Sequence, residues 1–230
     1  EFERYQVTGL TGVNTLYNGL NNHPDITKID TSHLAFASAG GAALQKAVAE
    51  EWKRNTGIII SEGYGMTETS PVATSNPKGA VRLGTIGIPV PSTELRIVDE
   101  EGNPLEVGET GEIQIKGPQV MKGYYNRPDE TANTLTSDGW INTGDIGTMD
   151  EDGYFWFHGR GDDVITSSGY RIGPGEIEDA LIKHDAVQMV AVIGVPDLVR
   201  TEIIKAFIIP VASVKADEGL AEELRDFVRT

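Results

Sequence analysis

Over residues 8–22 the apolar positions Leu10, Val13, Leu16, Tyr17 and Leu20 recur at helical spacing, which predicts a helix. Residues 33–39 read as a short buried strand ending in Gly40-Gly41. Leu44, Val48 and Trp52 then fall on one side of a helical pattern over 42–55, and Gly57 stops it. Ile58-Ile59-Ile60 reads as a fully buried strand. This is a β–α–β unit. The segments after its two strands, SAGGA and SEGYGMTET, emerge at one sheet edge, where ligands of parallel sheets sit.

The period changes after Pro77. Residues 94–98 and 112–116 alternate as strands around the turn residues 99–103. A second hairpin runs from Trp140 to Met149, turns at Asp150-Glu151-Asp152-Gly153 and returns through 154–158. Short strands at this spacing suggest a small β-barrel or sandwich. Beyond Gly159 the pattern mixes again: a strand at 164–166, a polar loop at 167–171, a helix over 174–184 with Pro174 in its first turn, strands at 189–195 and 203–209, and a final helix. The expected class is mixed α/β and α+β. Residues 1–80 form part of a parallel α/β subdomain, 81–160 a β-barrel subdomain, and 161–230 an incomplete α+β C-terminal lobe.

The formal net charge is −16, and each of these three stretches is more acidic than basic, so nucleic acid is not an expected partner. A free nucleotide stays compatible, because a local pair of arginines outweighs the global field. Without cysteine the chain has no disulfide, no Cys-ligated zinc and no thiol nucleophile. That fits the cytoplasm, with peripheral association at a membrane left open. No apolar run is long enough to span a bilayer. The chain opens at Glu1 rather than Met and closes inside a helical pattern, which reads as a portion of something longer.

Three stretches carry candidate chemistry. In Tyr64-Gly65-Met66-Thr67-Glu68, glycines admit a flat base or phosphate, the Thr hydroxyl can bond a phosphate oxygen, and Glu68 can hold Mg²⁺. Alone, this reads first as a Gly-rich turn with a capping Thr. Asp145 follows a Thr-Gly turn in Trp140-Ile141-Asn142-Thr143-Gly144-Asp145 and could accept both hydrogen bonds of a vicinal diol, or bond its own backbone. Arg160 and Arg171 bracket a Gly/Ser-rich segment suited to a phosphate-bearing ligand. The acidic run 150–152 reads as a solvated hairpin tip. The four histidines show no metal-ligand spacing.

Five segments in order, SAGGAAL (38–44), EGYGMTE (62–68), GEIQIKGPQVMKGYYNRPDET (111–131), WINTGD (140–145) and GRGDDVITSSGYRIGPGEIE (159–178), resemble the adenylate-forming (AMP-binding) superfamily. The resemblance is to acyl-CoA synthetases and fatty-acid CoA ligases, over nearly the whole chain. It implies activation of a carboxylic acid, such as a fatty acid, with ATP and Mg²⁺ to acyl-AMP, then transfer to coenzyme A. Carried over by position, Gly40, Gly41 and Ala42 line the adenine pocket with Glu62, Gly63 and Tyr64, and Gly65 and Met66 belong to the same cofactor-binding set. Thr67 touches the α-phosphate and Glu68 ligates Mg²⁺, the two catalytic assignments. Asp145 holds the ribose hydroxyls and Arg160 bonds the ribose. Asp162 is the hinge between half-reactions. Ser168, Gly169 and Tyr170 line the coenzyme A tunnel, and Arg171 contacts nucleotide phosphate.

The segments up to about residue 157 resemble long-chain ligases, and those beyond resemble medium-chain and acetyl-type synthetases, so the acyl chain length stays open. Thr201 stands where such proteins carry Gly in a PDxxxGE pattern. The resemblance places the family's phosphate loop before Glu1 and its catalytic lysine after Thr230. The isolated chain is therefore expected to be inactive in adenylation. Transfer to a carrier-protein thiol, a non-catalytic nucleotide-binding module and a scaffold fragment that binds nothing are the alternatives.

Overall fold

Two glycines decide how the fold begins. The computed structural model describes residues 2–229, the side chains of Glu3 and Arg171 lying outside that description. After a short helix α1 (Phe2–Tyr5), the expected helix over 8–22 is instead a strand, β1 (Gly9–Gly12), followed by a helix, α2 (Asn14–Asn21). Gly9 and Gly12 weaken a helix there. A Cβ on Gly9 would fall 2.3 Å from the Phe36 ring, so the strand needs glycine to lie beside β2 (Phe36–Ala39).

The helix α3 (Lys46–Thr56) starts later than its apolar pattern suggests and ends as expected, at Gly57, whose N–H donates to Lys53 O at 2.9 Å. The strand β3 (Ile60–Gly65) starts later and runs further than expected, so Glu62, Gly63 and Tyr64 are strand residues and not loop residues. Strands β1, β2 and β3 pair in parallel, and β4 (Val72–Ser75) and β5 (Ile88–Pro89) extend the sheet antiparallel in the order β1-β2-β3-β4-β5. Tyr17 and Trp52 anchor the core between sheet and helices, ring edge to face at 5.1 Å. Burial pushes the Tyr17 hydroxyl up to about 12 although it donates to Ser38 O at 2.8 Å.

The middle of the chain is an open sheet, not the expected barrel. Strands β6 (Glu94–Val98), β7 (Gly111–Lys116), β8 (Ile141–Met149) and β9 (Phe155–Arg160) lie in that order, with a helix, α4 (Pro128–Thr134), leading into β8. Closure would need β9 to meet β6, but other backbone occupies both edges. Phe155 exchanges hydrogen bonds with Ile86 and Gly87, and Leu105 N–H donates to Ile97 O. The acidic hairpin tip is also engaged: Asp150 and Asp152 hold Arg82 at 2.9 and 2.6 Å, and the guanidinium stacks 4.1 Å from the Tyr154 ring.

By its contacts the chain divides into two units, one ending at Phe157 and the other starting at His158. In the second, the expected polar loop at 167–171 is a hairpin of β10 (Ile165–Ser167) and β11 (Tyr170–Ile172), turned by Ser168 and Gly169, both at positive φ. The helix α5 (Pro174–Leu181) stops short of residue 184. Strands β12 (Val187–Asp197) and β13 (Thr201–Pro210) and helix α6 (Glu218–Arg229) complete the unit, with strand order β11-β10-β13-β12. Ile165, Leu181, Val190, Val192 and Leu224 form its core. Among the described residues no helix is long and apolar enough to cross a membrane.

Thr201 explains the departure noted in the sequence. Its φ is 74°, a region that strongly disfavours a β-branched side chain, and its place at the start of β13 opposite Ser167 and Asp197 holds it there. Thr201→Gly is expected to stabilise the chain by about 1 kcal/mol in urea denaturation, strain relief exceeding the entropy that glycine adds to the unfolded chain. Thr201→Ala keeps the Cβ and is expected to gain less; an equal gain would remove backbone strain as the cause.

Candidate functional site

The first unit brings the EGYGMTE and WINTGD segments together through two side chains. Tyr64, on β3, donates its hydroxyl hydrogen to Asp145 Oδ2, on β8, at 2.5 Å. The Tyr64 ring lies against Phe157, with centroids 6.0 Å apart, and packs on the core of Ile86, Ile113 and Phe155. That packing fixes where the hydroxyl points, and Asp145 is only 6% exposed.

Asp145 owes its place to an irregularity in β8. Glu112 pairs with Ile146 and Gln114 with Asn142, so three residues of β8 face Ile113 alone. Bulges of this kind bend a strand and re-aim its side chains. Thr143 bonds Ile113 O at 2.7 Å and accepts the Asp145 N–H at 3.0 Å, while Gly144, at φ 71°, donates to Glu112 Oε1 at 2.8 Å. The expected Thr-Gly turn is thus a kink within a continuous strand.

A second buried carboxylate organises the SAGGA loop. Glu62 Oε1 accepts the Leu44 N–H at 2.9 Å, which fixes the chain just after Gly40, Gly41 and Ala42. Its side chain thereby positions this loop in addition to any contact with a base. The Glu62 carbonyl is gripped by Asn76 through Nδ2 at 3.0 Å and through its backbone N–H at 3.1 Å. Buried Asn76 uses its amide fully, donating to Thr85 O at 2.7 Å and accepting from the Arg82 N–H at 2.9 Å. Sequence reasoning passed over Asn76, since a lone Asn in TSNP reads as a turn residue. Gly40 and Gly63 lie close together: a Cβ on Gly40 would stand 3.3 Å from Gly63 O. Gly65 admits no side chain, since a Cβ there would fall 1.7 Å from Pro71 O.

Thr67 and Glu68 open a short 3₁₀ turn, Thr67–Thr69, beyond β3. Thr67 is exposed, and buried Thr69 holds the turn by bonding Met66 and Pro71. Glu68 Oε1 accepts the Tyr124 hydroxyl at 2.7 Å, and Glu68 O accepts the Met121 N–H at 2.8 Å. The bond to Glu68 raises Tyr124 above the usual phenol range. No cluster of three or more His, Cys, Asp or Glu able to cage a metal occurs among the described residues. One carboxylate fits Mg²⁺ carried mainly by phosphates and water, and does not fit a dedicated all-protein site.

Arg160, Asp162, Ser168, Gly169 and Tyr170 belong to the second unit. Arg160 Nε lies 3.3 Å from Asp162 Oδ1, both exposed, and Tyr170 is 73% exposed beside the hairpin turn. Arg171 pairs through its backbone with Thr166; its side chain, the expected phosphate contact, lies outside the described residues.

The sequence model for the AMP-binding enzyme family matches residues 1–125, and that for the AMP-binding enzyme C-terminal domain matches residues 176–230. The chain is 47% identical over 224 residues to a long-chain-fatty-acid–CoA ligase of Yersinia pestis, covering 97% of this chain and 39% of that protein. It is 44% identical over 230 residues to the ligase of that name from Bacillus subtilis, covering 99% and 40%. The chain therefore spans about 40% of the length of these relatives. Among solved structures, an anthranilate CoA ligase in complex with anthranoyl-AMP matches with TM-score 0.92 and 34% identity, over 99% of this chain and 44% of its own. ATP-bound MatB from Rhodopseudomonas palustris matches with TM-score 0.89 and 37% identity, over 96% and 44%.

Tyr64→Phe removes a donor from a buried carboxylate and is expected to destabilise the chain by about 2 kcal/mol in urea denaturation. In an Asp145→Asn background the same change is expected to cost clearly less, since the charge is gone. Equal costs in the two backgrounds would mean that the pair does not interact.

Proposed function

Because the chain belongs to the AMP-binding enzyme family, we propose that it supplies the nucleotide-holding part of an acyl-CoA ligase. In the first half-reaction a carboxylate oxygen attacks the α-phosphorus of ATP and pyrophosphate leaves. In the second, the thiol of coenzyme A attacks the acyl carbon, the acyl–oxygen bond breaks and AMP leaves. The substrate is a carboxylic acid of the fatty-acid class.

The observation that carries this reading is the bond between Tyr64 and Asp145, which joins the two segments expected to hold base and ribose. Asp145, held on one oxygen by Tyr64, is the acceptor for ribose hydroxyls. Gly40, Gly41 and Ala42, fixed by Glu62, give the adenine a flat backbone wall, with Gly63, Tyr64, Gly65 and Met66 along it. Thr67 presents a hydroxyl to the α-phosphate. Glu68 would hold Mg²⁺, which would supply neutralisation of phosphate charge. In the second unit we assign Arg160 to the ribose, Arg171 to phosphate, Ser168, Gly169 and Tyr170 to coenzyme A, and Asp162 to the hinge. These groups position and neutralise; none becomes covalently bonded to substrate.

The test is a graft. Residues 1–230 replace the matching segment of the Yersinia pestis ligase, and acyl-adenylate and thioester are measured with coenzyme A and with a pantetheine-bearing carrier protein. The expected result is acyl-CoA from the graft, little carrier thioester, and no adenylate from the 230-residue chain by itself. Asp145→Ala in the graft is expected to raise the KM for ATP at least tenfold. A graft that is folded and inert with both acceptors would contradict the proposal.

A further inference from the structure

The segment 117–127 holds Glu68 at two points. The Met121 N–H bonds the Glu68 carbonyl and the Tyr124 hydroxyl bonds its carboxylate. The segment is itself braced. Gln119 Nε2 donates to Thr93 Oγ1 at 2.7 Å, and the Tyr124 N–H donates to Thr131 Oγ1 at 2.9 Å. Thr131 in turn donates to Arg127 O at 2.7 Å, so the Tyr124 backbone is tied to the start of α4. Of the two carboxylate oxygens, Oε1 takes the tyrosine hydrogen, and Oε2 has no hydrogen-bond donor among the described residues.

A carboxylate on a flexible stem loses rotamer entropy when it ligates a metal, and a neighbouring donor that already fixes one oxygen removes part of that cost. We propose that Tyr124 is a positioning residue for divalent-metal binding: it holds Glu68 Oε1 and leaves Oε2 to ligate the metal ion that accompanies a nucleotide. The proposal rests on the assignment of Glu68 as the metal carboxylate. Tyr125, next in sequence and 91% exposed, has no such contact and serves as the control.

The experiment uses the graft with Mn²⁺ as the probe and a non-hydrolysable ATP analogue bound, and reads the Mn²⁺ dissociation constant from loss of the free-ion electron paramagnetic resonance signal. Glu68→Gln and Tyr124→Phe are each expected to weaken Mn²⁺ binding about tenfold or more, the scale for groups that orient a metal ligand. Tyr125→Phe is expected to match the parent. At saturating Mn²⁺ the adenylation rate of Tyr124→Phe is expected to recover, with the KM for the acid unchanged, which damage to the fold would not give. If Glu68→Gln weakens binding and Tyr124→Phe does not, or the rate fails to recover, the role of Tyr124 is overturned while the assignment of Glu68 stands. If Glu68→Gln leaves Mn²⁺ binding unchanged, the assignment of Glu68 fails and takes this proposal with it.

Discussion

A carboxylate enters a protein interior only if hydrogen-bond donors replace the water it leaves. Two buried carboxylates of the first unit each take a donor from another element, and the candidate site is built around these two bonds. Asp145 takes the Tyr64 hydroxyl, and Glu62 takes the Leu44 N–H. Each bond crosses between elements far apart in sequence. The first ties β3 to β8, and the second ties β3 to the loop before α3. The strand carrying Glu62 and Tyr64 thereby holds both β8 at Asp145 and the chain at Leu44.

Backbone features of the kind proteins tolerate at functional places support these contacts. The kink in β8 at Thr143–Gly144 breaks the ladder to place Asp145, and Gly65 lets β4 approach β3 more closely than any side chain would allow. Asn76 ties three backbone groups together, the carbonyls of Glu62 and Thr85 and the N–H of Arg82. Thr201 is a different case: it carries backbone strain in the second unit, and the strand pairing around it holds the residue in place.

Much of this was legible in the sequence where a signal is local. Gly57 as a helix stop, Pro174 as a helix start and the hairpin at 150–153 rest on residues whose backbone preferences act within one turn. The family was legible because five motifs stood in order. Reading failed where a distant partner decides. Leu10 and Val13 fit a helical period, yet β1 forms because Gly9 lies under Phe36 of the next strand. The middle sheet was read as a barrel because strand spacing cannot show what occupies an edge, and Ile86-Gly87 occupies that of β9. The grip of Tyr124 on Glu68 spans 56 residues, and no periodicity reports such a pairing.

Hydrogen–deuterium exchange on the graft with and without saturating AMP decides whether residues 40–42, 62–68 and 145 act as one nucleotide site. Peptides covering 38–44, 62–68 and 140–145 are expected to gain protection together, at one AMP concentration. Protection of 62–68 with 140–145 unchanged would contradict a single site.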